Sequence, residues 1–190
     1  VPHYGMPAFT DLLMRVAQYF TTSREELGKQ AQAVVRALAS MEPGAAAVDT
    51  QLDRAPLDSL RAQLASNFDA DWGGFGGAPK FPHPTSLEYL LRHWRASAHR
   101  SEPDVEALYM CALTLTRMLD GGIYDQLGGG FHRYSTDSKW LVPHFEKMLY
   151  DNALLSRLYL HFYQLTRDQS ARDIAQGILD YIRREMAAPA

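Results

Sequence analysis

Residues 121–152 read GGIYDQLGGGFHRYSTDSKWLVPHFEKMLYDN, and the fold turns on how this stretch is read. It holds two glycine clusters, Gly121-Gly122 and Gly128-Gly129-Gly130. His132, Arg133, Tyr134, Asp137, Lys139, Trp140 and His144 follow, and then Glu146, Lys147 and Asp151. Glycine, aromatics and opposite charges in one long connection are the composition of a site rather than of a scaffold. Phe131–Tyr134 and Trp140–Val142 flank a polar segment and predict a short β-hairpin near 131–142. A helix is predicted to begin at about Phe145 and run to about Thr166.

On a wheel continued back to His144, that helix places His144, Lys147, Met148, Asp151, Leu155 and Leu158 on one face. Charged groups on an apolar face need a partner or a polar cavity. One reading pairs Lys147 with Asp151 as a buried tie. The other has His144, Glu146 and Lys147 lining a pocket at the helix N-terminus, beside His132, Arg133 and Tyr134. Polar groups beside aromatic faces suit a sugar.

Outward from the centre the chain reads as amphipathic helix. Helices are predicted over 7–20, 23–40, 57–67, 85–97, 104–119 and 168–186. Ser23–Glu26 and Thr85–Glu88 have the capping-box pattern, and Pro103 suits a first helical turn. Gly121 reads as a C-terminal stop and Asp168 as an N-cap. Pro43 to Ala47 reads as a linker. DADWGGFGGAPKFPHP at 69–84, with four glycines and three prolines, excludes regular structure of any length. Trp72, Phe75 and Phe81 there read as plugs for the core. The class is all-α, built from antiparallel helical hairpins, of which 85–119 and 145–186 look like two in succession.

Composition narrows the function. The net charge of −3, with both signs mixed along the chain, gives no basic face for nucleic acid. No apolar run approaches the length of a membrane span, and the start lacks the pattern of a signal peptide. One cysteine, Cys111, allows no internal disulfide, fits a reducing, cytoplasmic setting, and sits where packing rather than nucleophilic chemistry is expected. HExxH, a dinucleotide loop and Gly-x-Ser-x-Gly are all absent, so no metal and no cofactor are expected. The abrupt start and end read as a piece of a longer protein.

Two blocks, GGFGGAPKFPHP at 73–84 and GGIYDQLGGGFHRYSTDSKWLVPHFEKMLYDNALL at 121–155, resemble the signature blocks of the family of spermatogenesis-associated protein 20 and its bacterial homologues. That resemblance implies a thioredoxin-like domain followed by an α/α toroid of the six-hairpin kind, similar to N-acylglucosamine 2-epimerases and several glycosidases. It assigns 1–47 to the end of the thioredoxin-like domain with a connector helix, and 56–190 to the first part of the toroid. It also implies a mouth lined by Phe75, Lys80, Phe81, Arg133, Tyr134, Trp140 and Asp151 as substrate-binding residues. His144, Glu146, Lys147 and His132 are then the catalytic candidates, with His144 as acid/base. The expected activity of the full-length parent is epimerase- or glycosidase-like on a carbohydrate, with this piece inactive alone. The alternative is a non-catalytic protein-binding or redox-regulatory module. Carbohydrate is the expected ligand, and an open toroid face predicts a homodimer.

Overall fold

The computed structural model describes residues 7–41 and 53–187. The predicted linker at Pro43 to Ala47 and the opening of the chain lie outside the described residues. The chain divides into two compact units, 1–52 and 53–190.

The first unit is a pair of helices, α1 (Phe9–Thr22) and α2 (Arg24–Met41), that lie against each other. Ser23 separates them, and its amide closes α1 on the Tyr19 carbonyl at 2.9 Å. No side chain of either helix is buried. The stripe Phe9, Leu12, Leu13, Val16 and Phe20, at helical spacing, therefore stays open within this unit.

The second unit contains α3 (Ala55–Ser66), α4 (Pro84–Ser97), α5 (Val105–Asp120), α6 (Leu149–Thr166) and α7 (Gln169–Tyr181), closed by a π-helical turn over Ile182–Met186. α4 packs on α5 and α6 on α7 as successive hairpins, and α4 also lies against α6. Thr85 and Leu154 line one cavity, and Glu88 meets His161 further along. The two helices thus run in the same direction as one layer. The core is built from Leu87, Leu90 and Leu91 of α4, Met110, Leu115 and Met118 of α5, and Leu155, Leu158 and Ile178 of the second hairpin. The chain is all-α with antiparallel hairpins, as its periodicity predicts.

Several boundaries differ from expectation, each for a physical reason. α6 begins at Leu149, not at Phe145. Pro143–His144 is instead a short strand, β2, paired antiparallel with β1 (Tyr134–Ser135) in the register Tyr134↔His144 and Ser135↔Pro143. The Arg133 amide extends this pairing to the Glu146 carbonyl at 2.7 Å. Sheet pairing wins over local helical preference, so His144, Glu146 and Lys147 share no helix face. The hairpin predicted near 131–142 exists, with its return strand two residues later.

The capping box at Thr85–Glu88 does not form. His83 occupies the N-cap position without a side-chain bond, Pro84 opens the helix, and Glu88 turns to Arg92 at 2.7 Å and His161 at 3.1 Å. Pro103 precedes the cap of α5, which is Asp104, accepting from the Ala107 amide at 3.0 Å. Asp168 caps α7 through the Ser170 amide, as expected. Gly121 ends α5 in an extended conformation (φ −85°), so left-handed geometry does not explain it. A Cβ there would lie 2.5 Å from the Trp140 carbonyl oxygen.

Candidate functional site

The two glycine-rich blocks are locked to each other. Lys80 and Ser135 exchange both backbone hydrogen bonds, at 2.8 and 2.9 Å, which adds a third short edge beside β1 and β2. The Trp140 indole N–H donates to the Trp72 carbonyl at 2.8 Å. Gly74 has φ +77°, and a Cβ on it would sit 2.5 Å from Trp140 Cζ2, so both its backbone and its lack of a side chain are required.

Five of the predicted site residues are taken up by packing within and between these blocks. Lys80 is wholly buried, and its ammonium donates to Asp69 (2.5 Å), the Gly73 carbonyl (2.8 Å) and the Ser138 carbonyl (2.9 Å). All three of its hydrogens are thereby used. Burial pushes the Asp69 carboxyl upward, but the Lys80 and backbone hydrogen bonds prevail and hold it below its ordinary value. Trp140 is wholly buried and has no face to offer a ring. Lys147 donates to Asp125 (2.7 Å) and to the Gly129 carbonyl (2.8 Å), with its ammonium 4.3 Å from the centre of the Tyr181 ring. The expected Lys147–Asp151 tie is therefore replaced by Lys147–Asp125. Asp125 also accepts from the Gly128 and Leu127 amides, and these bonds hold its carboxyl far below the usual range. His132 is buried edge-on against Phe145, with Nδ1 unpartnered, and burial lowers its pKa. Phe75 is half-buried between Phe68 and His83.

The other predicted residues gather at one surface. His144 stacks on Tyr134 at 4.7 Å between ring centres, and Tyr134 lies 4.8 Å from Phe81. Glu146 pairs with Arg133 (3.0 Å) and lies 3.5 Å from His144 Nδ1, which makes no hydrogen bond among the described residues. Beside this group lies a cavity of about 310 Å³ lined by Phe81, Pro82, His83, Pro84, Thr85, Arg133, Tyr150, Asp151 and Leu154. Burial raises the Asp151 carboxyl above its ordinary pKa, against the pull of Arg133.

Sequence reasoning missed two residues. His83 lines the cavity in a left-handed conformation (φ 45°). Asn152 is wholly buried and clamps the loop: its Oδ1 accepts from the Phe131 amide at 2.7 Å, and its Nδ2 donates to the carbonyls of Phe131 and Met148. A lone polar residue on the apolar stripe of α6 was the available signal for Asn152. Among the described residues no group of three His, Cys, Asp or Glu could hold a metal ion, and no helix is long and apolar enough to cross a membrane.

Comparison with known proteins supplies a relationship for this geometry. No family model matches the chain. Over 190 residues, 94% of its length, it is 37% identical to spermatogenesis-associated protein 20 of Rattus norvegicus, and 38% identical to that of Homo sapiens. The chain is a relative of spermatogenesis-associated protein 20. The resemblance carried by the two glycine-rich blocks thus holds across almost the whole chain. The chain spans 23% of the length of these relatives. Among solved structures, the cellobiose 2-epimerase from Bacillus thermoamylovorans B4167 matches 69% of the chain with a TM-score of 0.51 and 18% identity, covering 37% of that enzyme. The hairpins are therefore part of an α/α toroid.

Proposed function

We propose that this chain forms part of the sugar-binding mouth of a carbohydrate-acting toroid, epimerase- or glycosidase-like in the full-length parent and inactive as these residues alone. The observation that carries the reading is the cavity between Phe81 and Asp151, bordered by the Phe81–Tyr134–His144 aromatic series and the Arg133–Glu146 pair. Apolar ring faces beside a few fixed polar groups are the composition of a small-molecule site. In this reading Phe81 and Tyr134 give the ligand an apolar edge, and His144, Glu146 and Arg133 present hydrogen-bonding atoms. The toroid likeness supports the class of ligand, since the solved neighbour is by its name an epimerase of cellobiose. A cytoplasmic location and a homodimer covering the open toroid face belong to the same proposal.

A second reading has an observation of its own. Lys80, Trp140 and Lys147 are all spent on holding the loops together. A loop system built so largely for structure fits a non-catalytic module that presents a surface to a protein, coupled to a thioredoxin-like domain. Calorimetric titration with cellobiose, glucose, mannose and N-acetylglucosamine separates the two. The carbohydrate reading expects one of them to bind and Phe81→Ala, Arg133→Ala and His144→Ala to weaken it, with Lys147→Met retaining the ligand. Failure of all four sugars to bind moves the weight to the binding module.

A further inference from the structure

The second unit has six half-buried carboxyl groups among its described residues: Asp69, Glu88, Asp104, Asp125, Asp137 and Asp151. Five are satisfied. Asp69 has Lys80, Glu88 has Arg92 and His161, Asp104 has Arg61, and Asp125 has Lys147. Asp137 accepts from the amides of Lys139, Leu141 and Val142. Asp151 has neither an ion pair nor a hydrogen bond among these residues, although its side chain borders the cavity. Its carboxylate oxygens are not sealed from solvent, so they remain open to accept from a ligand in the cavity.

His83 shares the same wall. Its ring lies 6.1 Å from Phe81 and 6.4 Å from Phe75, and the residue is exposed, so its ring nitrogens are open to a ligand. Its backbone is left-handed, an unfavourable conformation for a side-chain-bearing residue, and such conformations concentrate at ligand sites. Partial desolvation lowers the His83 pKa, and burial raises that of Asp151 against the pull of Arg133.

We propose that His83 and Asp151 are two further polar groups that contact the ligand of this cavity, and that the ligand is a neutral polyhydroxylated ring. The inference rests on the carbohydrate reading above and deepens it. The carboxyl offers two oxygens to a pair of neighbouring hydroxyls, and the imidazole offers one donor and one acceptor to a third. Arg133, the one cationic side chain lining the cavity, has its charge offset by Glu146 at 3.0 Å and by the nearby Asp151 carboxyl, so the cavity carries no net positive charge to favour a phosphate or a carboxylate. Tyr150, Thr85 and Leu154 complete the wall. A neutral sugar therefore fits better than a sugar phosphate or a sugar acid.

The test combines thermal melting at pH 7 with titration of cellobiose, glucose, mannose and glucose 6-phosphate. The variants are Asp151→Asn, His83→Asn and Phe81→Ala, with asparagine chosen because it tolerates a left-handed backbone. A ligand-contacting Asp151 predicts that Asp151→Asn melts no lower than the unsubstituted protein without sugar, because a half-buried charge with no hydrogen bond has been removed. It also predicts that this variant and His83→Asn each bind the neutral sugar at least about tenfold more weakly. Melting several degrees lower in Asp151→Asn would show that the carboxyl holds structure and would overturn the proposal. So would tighter binding of glucose 6-phosphate than of glucose. Sugar binding lost in Phe81→Ala but kept in both asparagine variants overturns this inference alone and leaves the carbohydrate reading standing. No binding of any sugar overturns both.

Discussion

The ammonium of Lys80 lies 5.3 Å from the centre of the Trp140 ring, and both side chains are wholly buried. A cation over an indole face, out of water, is attracted to the ring as well as to its carboxylate. Lys80→Met keeps the volume but leaves Asp69 and two carbonyls without their donor. A loss of about 3–5 kcal/mol in stability follows, because breaking a buried pair strands the remaining charge. Urea unfolding measures it through the shift of the transition midpoint.

Gly74→Ala should destabilise the chain by at least about 1–3 kcal/mol from backbone strain alone. The new Cβ also meets the Trp140 ring at 2.5 Å, so the indole must shift. Quenching or red shift of tryptophan fluorescence accompanying the lowered melting temperature reports that movement. Gly77→Ala is the control, since nothing lies within 4 Å of a Cβ there.

Acid weakens the tie between α3 and α5. Arg61 donates to Asp104 at 2.6 and 2.8 Å, and this pairing, opposed by burial, lowers the Asp104 carboxyl to about 2. A carboxyl depressed in the folded state stabilises above its unfolded pKa of about 4, and that stabilisation fades as pH falls toward the folded value. After allowance for solvent screening the contribution is on the order of 1 kcal/mol. Asp104→Asn should therefore flatten the fall in melting temperature between about pH 4 and pH 2, as read by circular dichroism at a series of pH values.

Cys111 should resist alkylation in the native protein. It is wholly buried, and burial pushes its thiol far above the ordinary range, so thiolate is scarce. Iodoacetamide labelling followed by mass spectrometry is expected to proceed only in denaturant. Rapid native labelling would mean that α5 opens readily.

Helices were legible because their apolar residues repeat at a period that burial enforces. Leu87, Leu90 and Leu91, and likewise Leu155 and Leu158, lie where that period places them. Inside the loops the partners are set by contacts far apart in sequence, and periodicity carries no such information. Lys147 looked suited to Asp151 four residues on, but it chose Asp125, 22 residues back. Lys80 and Trp140 read as site residues because charge and aromaticity in a glycine-rich loop look alike whether they face a ligand or a core. Phe81, Tyr134, Arg133, His144, Glu146 and Asp151 do gather at one surface, whereas His83 gave no local signal at all.

The bond from Trp140 to the Trp72 carbonyl spans 68 residues. A ribosome adding about 5–20 residues per second needs about 3–14 seconds to cover that distance. Through that interval the glycine-rich block around Gly74 exists without the indole that later covers it, so the nascent hairpin α4–α5 emerges before its plug. Vectorial synthesis thus makes closure of this segment one of the later events in folding, whatever the order in which its helices form.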